Sequence, residues 1–221
     1  SQQLTVYSSN TFSSSTREPS VRAVFHSSIN DIDPDHWDKL WPQDYPFTRH
    51  AFLAALENSA SIDNDKNGRS GWQVAHLTVE HEEALIAAVP LFVKHHSYGE
   101  YVLDWSWASA YEQARVPYYP KLVNAIPFTP ATGPRLAICT ELSLALQTQC
   151  LDEILTAISQ RQDEKGYSGF HCLFPEKNNR IVNTASQMQI QKKIYKDSSQ
   201  SWLKFRPYLN DKFSELFSIE A

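Results

Sequence analysis

The chain has 221 residues, 42% of them apolar and 20% charged. That composition excludes an intrinsically disordered polymer and is enough to bury a core without disulfide or metal staples. A formal charge of -5 and a pI near 5.9 exclude recognition of nucleic acid through a global positive field, so any such contact needs a local patch.

Residues 1–20, SQQLTVYSSNTFSSSTREPS, are rich in Ser and Thr, which fits a flexible leader or an organelle transit remnant. A single domain is expected over 21–221. Asp33-Pro34-Asp35 before HWDKLW reads as a short capped helix with Trp37 and Leu40 inward. Pro46-Phe47-Thr48 opens a second helix with Phe52, Ala55 and Leu56 on one face. The polar run SIDNDKNGRS is a loop, and after Gly71 the alternating WQVAHLTVE is a strand with Trp72, Val74, His76 and Thr78 on one side. A hairpin over His81-Glu82-Glu83 returns as ALIAAVPLFVKHH, a strand buried on both faces with a bulge at Pro90. This richest apolar run contains that proline, and no segment reaches membrane-helix length, so no membrane partner is expected.

KLVNAIP, Lys121 to Pro127, is a further strand. Thr140 caps a long helix ending at Lys165 before Gly166, with Leu142, Leu146, Cys150, Ile154 and Ile158 on one stripe and Leu144, Leu151 and Leu155 widening it. SGFHCLFP is a strand, NNRIVNTASQM a helix, QIQKKIYK and SQSWLKF strands, and YLNDKFSELFSIEA a last helix. The fold class is α/β in the broad sense (α+β), a mixed sheet flanked by helices. Cys139, Cys150 and Cys172 suit neither a disulfide nor a metal, which points to a reducing, cytoplasmic compartment, or an organelle if the leader is a transit remnant. No metal site is expected.

The stretch from Tyr98 to Leu136 holds five of the ten tyrosines and two of the six tryptophans, interleaved with Glu100, Asp104, Glu112, Lys121 and Arg135. Aromatic walls with a few charges between them hold a polar organic ligand whose body stacks and whose ends hydrogen-bond. Glu100 and Asp104 are the candidate catalytic carboxylates for an acceptor amine, provided that a helical turn brings them together. Burial among Tyr101, Trp105 and Trp107 would raise the pKa of one of them. Ion pairing with Lys121 or Arg135 is the competing reading. Tyr118 and Tyr119 are expected to diverge to opposite faces ahead of Pro120, with Tyr119 the ligand candidate. PFTPATGPR is a stiff segment that would present Thr129, Thr132, the Gly133 N–H and Arg135 to a carboxylate or phosphate. A proline-rich turn with a salt-bridged Arg135 is the alternative. His171-Cys172 and His95-His96 are strand neighbours facing opposite ways, which argues against a nucleophile pair and a metal pair.

Three blocks carry a family resemblance: PFTRHAFLAALE at Pro46 to Glu57, YGEYVLDWSWASAYE at Tyr98 to Glu112, and YYPKLVNAIPFTPATGPRL at Tyr118 to Leu136. They closely resemble the FemAB-like family of peptidoglycan biosynthesis and recognition, within the N-acetyltransferase-like (GNAT) superfamily. The resemblance implies a GNAT-like fold and transfer of an acyl or aminoacyl group to an amine-bearing acceptor such as a peptide or amino-acid derivative. The donor it implies is aminoacyl-tRNA or acyl-CoA. It also implies a second GNAT-like domain after the first, so the chain is expected to be the N-terminal half of such a protein, or else to act alone or as a homo-oligomer. The pyrophosphate loop of acetyl-CoA enzymes has no counterpart among the six glycines. A non-catalytic peptide or glycan-peptide recognition domain is the alternative function.

Overall fold

The computed structural model describes residues 21–63, 69–98, 105–113, 115 and 117–176. The expected leader, Glu100, Tyr101, Asp104 and every element expected after Glu176 lie outside those residues.

A long hairpin organises the described residues. Gly71 enters it at φ +72°, a left-handed value at which a Cβ would also overlap His96. The outgoing arm is β2 (Trp72–Val74) and β3 (His76–His81); the return arm is β4 (Ala84–Val89) and β5 (Phe92–Lys94). The expected turn is present, with Glu82 and Glu83 both at positive φ between the paired His81 and Ala84.

Pro90 does more than bulge the return arm. Proline has no N–H to give to a ladder, and both arms break beside it. The bulge lies instead at Val79/Glu80. The outer half of the hairpin joins β1 (Arg22–His26) and β7 (Ala137–Ile138) in the order β1-β3-β4-β7. The inner half joins β6 (Lys121–Asn124) and β8 (Phe170–Cys172) in the order β2-β5-β6-β8, with β6 and β8 parallel. Ala75 N–H donates to Leu91 O at 2.9 Å, across the junction. Among the described residues the fold is thus mixed α and β, as the order of elements implied.

Alternation sends the two faces into two cores. Leu77, Val79, Val93 and Leu122 pack against α4 (Leu144–Lys165) through Cys150, Ile154 and Ile158. Trp72, Val74, Phe92 and Val123 pack on the other face with Trp37 of α1 (Pro34–Lys39) and Leu53 of α2 (His50–Asn58).

Three helix expectations are corrected. Pro46–Thr48 forms a separate 3-10 turn, and α2 starts at His50. The buried residues of α2 are His50, Leu53 and Glu57, whereas Ala55 is exposed, because polar partners inside reward polar side chains there. Ser143 replaces Thr140 as the cap of α4: its Oγ accepts from Leu146 N at 3.2 Å, so the helix begins later and Leu144 stands 75% exposed.

The partners inside α2 form one network. Glu57 accepts from Ser28 Oγ at 2.5 Å and Ile29 N at 2.8 Å. Leu91 N–H donates to Nδ1 of the fully buried His76 at 3.3 Å. That bond assigns the neutral tautomer, with the proton on Nε2 facing Glu57 Oε1 at 3.8 Å, too far for a hydrogen bond. Burial pushes the His76 pKa down and outweighs the carboxylate beside it. Burial alone would raise Glu57, but His76, Ser28 and the Ile29 N–H together hold it below the ordinary carboxylate value.

Two outcomes follow. His76 is kept neutral in the fold but takes up a proton when unfolded, so its contribution is complete above about pH 6.5 and shrinks as pH falls; Glu57 adds a further loss below about pH 4.5. The urea midpoint should therefore drop from pH 7.5 to 5.5, and His76→Gln, which keeps an acceptor for Leu91, should flatten that slope; an unchanged slope refutes the assignment. Separately, replacing Glu82-Glu83 by Asn-Gly should raise stability by about 1 kcal/mol, because both positions have left-handed backbone. Thermal melts check this.

Candidate functional site

At the end of the inner sheet the register lines up three large side chains on one face. Trp72 is directly opposite Lys94, and Lys94 is directly opposite Lys121. Both lysines are only 3% exposed. Directly opposed residues hold their Cβ atoms about 5 Å apart, so the two lysine side chains leave the sheet side by side, and like charges so placed are unfavourable unless they are offset.

Aromatic faces offset part of that cost. Lys94 Nζ lies 4.0 Å from the Trp72 ring centroid, and Lys121 Nζ lies 3.7 Å from Tyr118 and 5.1 Å from Tyr119. Tyr118 and Tyr119 meet edge to face at 4.8 Å, and Tyr118 also touches Tyr111 of α3 (Trp105–Gln113) at 4.9 Å and His171 at 6.0 Å. Tyr119 Oη shares a 2.6 Å hydrogen bond with Ser97 Oγ. His95 Nε2 is bonded to Gln73 Oε1 at 2.9 Å. The two lysines and Trp72, His95, Tyr111, Tyr118, Tyr119 and His171 all have further partners beyond these.

The predicted tyrosines therefore converge on Lys121 instead of diverging. Strand alternation does not govern them, because β6 begins only at Lys121, after a cis Tyr119–Pro120 peptide. Trp105 and Trp107 fall on helical backbone in α3, not on an extended segment.

Arg135 is elsewhere and does a different job. It is wholly buried, and its guanidinium donates to Leu173 O at 2.9 Å, Ala131 O at 2.6 Å, Pro134 O at 3.0 Å and Tyr45 Oη at 3.2 Å. Four donors spent on the protein itself leave no open fork for an anion, and none of these bonds is the salt bridge of the alternative reading. Gly133 is equally committed: its N–H donates to Phe174 O at 3.1 Å, and a Cβ there would overlap the Tyr45 ring. Thr129 Oγ1 donates to Pro127 O at 3.1 Å, and Thr132 is exposed. The proline-rich segment is a latch between Tyr45 and the end of β8.

Cys172 is no nucleophile. Burial, opposed by Arg135, pushes its thiol up to about 12, and Sγ donates to Asn124 Oδ1 at 3.2 Å. Among the described residues no group of three or more His, Cys, Asp or Glu could hold a metal ion, and no helix is long and apolar enough to cross a membrane.

Sequence reasoning did not single out Lys94 or Trp72 as site residues, and it weighed His171 only as a neighbour of Cys172. The only local signal was period two: Lys94 shares the face of Phe92, and His171 that of Leu173. The position of Lys94 opposite Lys121 depends on register, which no local pattern carries.

A family model, FemAB-like, described as peptidoglycan biosynthesis/recognition, matches residues 28–216. No curated protein and no solved structure matches the chain significantly.

Removing the latch should cost folding before it costs anything else. Arg135→Met takes the donor from Leu173 O and Pro134 O and leaves Ala131 O and the Tyr45 hydroxyl only their long 3.5 Å bond to each other, so it should lower unfolding free energy by about 2–5 kcal/mol, and Arg135→Lys should recover little because one ammonium cannot span the same acceptors. Denaturant titration checks this, and wild-type stability in Arg135→Met would show the bonds to be dispensable.

Proposed function

The chain belongs to the FemAB-like family, associated with peptidoglycan biosynthesis or recognition, and on that premise we propose that it holds an amine-bearing acceptor for acyl or aminoacyl transfer. The acceptor class is a peptide or amino-acid derivative, and the domain is read as GNAT-like.

The observation that carries this reading is the row of Trp72, Lys94 and Lys121 with Tyr118 and Tyr119 over it. The rings supply a surface against which an acceptor's body would lie, and the lysines, which keep the partners they already have, would add charge-assisted contacts at its end. In the transfer step the acceptor amine attacks the donor carbonyl carbon. The ester oxygen of aminoacyl-tRNA, or the thioester sulfur of acyl-CoA, leaves with the bonding pair, and the amine proton passes by way of a carboxylate to that leaving atom, which departs as an alcohol or a thiol. Glu100 and Asp104 remain the proposed carboxylates, and Tyr101, Trp105 and Trp107 the proposed walls. Thr129 and Thr132 stay in the proposal as polar contacts at its margin, and the cytoplasm is the proposed compartment because both donors occur there.

Mass spectrometry of an amine-bearing peptide, incubated with the protein and either aminoacyl-tRNA or acyl-CoA, tests the proposal. A mass increase equal to the transferred group is expected. Lys94→Met and Lys121→Met should each lower kcat/KM at least tenfold, mainly through KM, equivalent to about 1.4 kcal/mol or more. Saturable peptide binding without product would point to recognition alone, and neither binding nor product would end both readings.

A further inference from the structure

Helix α2 carries its polarity on the inside. His50 and Glu57 are buried with Leu53, while Ala51 and Ala55 are exposed and Phe52, Ala54 and Leu56 are half-buried beside them. Asn58 is the only polar side chain that HAFLAALEN keeps toward solvent. α4 shows the ordinary arrangement, with Gln149, Asp152, Thr156 and Gln160 outward. A helix whose outer face is as apolar as its inner one belongs under a second layer, because that face costs free energy wherever it stays wet.

The apolar face continues through rings. Phe52 meets Phe47 edge to face at 5.4 Å, and Phe47 meets Tyr45 in the same way at 5.4 Å, with all three rings half-buried. Tyr45 lies over Gly133 at the latch, and Glu176 N–H donates to Gly133 O at 3.2 Å. Glu176, the last described residue, is therefore beside one end of this ladder, and a few extended residues at about 3.3 Å each cover two ring steps. The family match starts at residue 28 and runs on to residue 216, so α2 and the segment after Glu176 belong to one family unit.

That segment brings a matching face. In residues 208–221, YLNDKFSELFSIEA, Leu209, Phe213, Leu216 and Phe217 recur at the three-and-four spacing, and Asn210, Asp211, Ser214, Glu215 and Ser218 fall opposite. We propose that residues 208–221 dock as a helix on the outward face of α2, along the Tyr45, Phe47 and Phe52 rings. Ala51 and Ala55 suit that role, since small side chains on one helix leave grooves that large ones on its neighbour fill. The occupant is the chain's own: a segment tethered beside the same rings acts at an effective concentration on the order of millimolar, ahead of a free partner. Lys94, Lys121 and the transfer reading play no part in it.

Amide hydrogen exchange on the full chain tests the inference, together with photo-crosslinking from p-benzoylphenylalanine at position 58, on the rim of the face. In the wild type, amides 213–217 should exchange at least tenfold more slowly than in an unstructured chain. Ala55→Glu, which sets a charge in the middle of the face, should return them to the unstructured rate while α4 stays protected. On an open solvent face that change would leave exchange elsewhere as it was. The crosslinker should join position 58 to residues 208–221 of the same chain, in a product of monomer mass. Fast exchange of amides 213–217 in the wild type, protection that survives Ala55→Glu, or a crosslink to a second copy would each overturn the inference. If Ala55→Glu also exposes α4, the crosslink decides alone, and its absence from residues 208–221 overturns the inference as well.

Discussion

The break at Pro90 is the constraint on which the rest of the structure depends. A ring without an N–H interrupts the most apolar strand of the chain, and the groups left over are satisfied by side chains: Asn124 Nδ2 donates to Pro90 O at 2.6 Å, and His76 Nδ1 receives Leu91 N–H. Each of those side chains is tied to something further. Asn124 receives the Cys172 thiol, which draws in β8, and His76 faces Glu57, which draws in α2 and the Ser28 turn. One missing donor thus organises contacts from four separate segments. The buried polar groups are costly alone and stable only as a set.

The same break lets the hairpin serve two sheets. Its outer half pairs with β1 and β7, its inner half with β6 and β8, and the inner half is where Lys94 and Lys121 face each other. Like charges opposed across a ladder are seldom retained for stability alone. Lys94 Nζ lies over Trp72 and Lys121 Nζ over Tyr118 and Tyr119, and both lysines have further partners besides these rings.

The proline-rich segment illustrates how a feature can be legible while its role is not. Its stiffness, its glycine and its arginine are all evident in PFTPATGPR. A guanidinium that faces carbonyls and one that faces a ligand look identical in sequence. Packing decides between them: Tyr45, ninety positions from Arg135, lies over Gly133 and receives one of its bonds. The convergence of Tyr118 and Tyr119 on Lys121 is the same case, since pleat alternation has no hold on residues ahead of the strand.

Amino-acid order alone determined the types of α1, α2, α4, the hairpin strands, β6 and β8, though not of β1, α3 or β7, together with the hairpin over Glu82-Glu83, the helix ending at Gly166 and the family blocks, because these depend on neighbours within a few positions, through turn chemistry, capping and period. Tertiary structure alone decided the split of the sheet, the inward turn of His50 and Glu57, the self-satisfied Arg135 and the opposition of Lys94 to Lys121. Each of these is a pairing between residues far apart in the chain. Register and burial are set by which faces close together, and no local pattern encodes that.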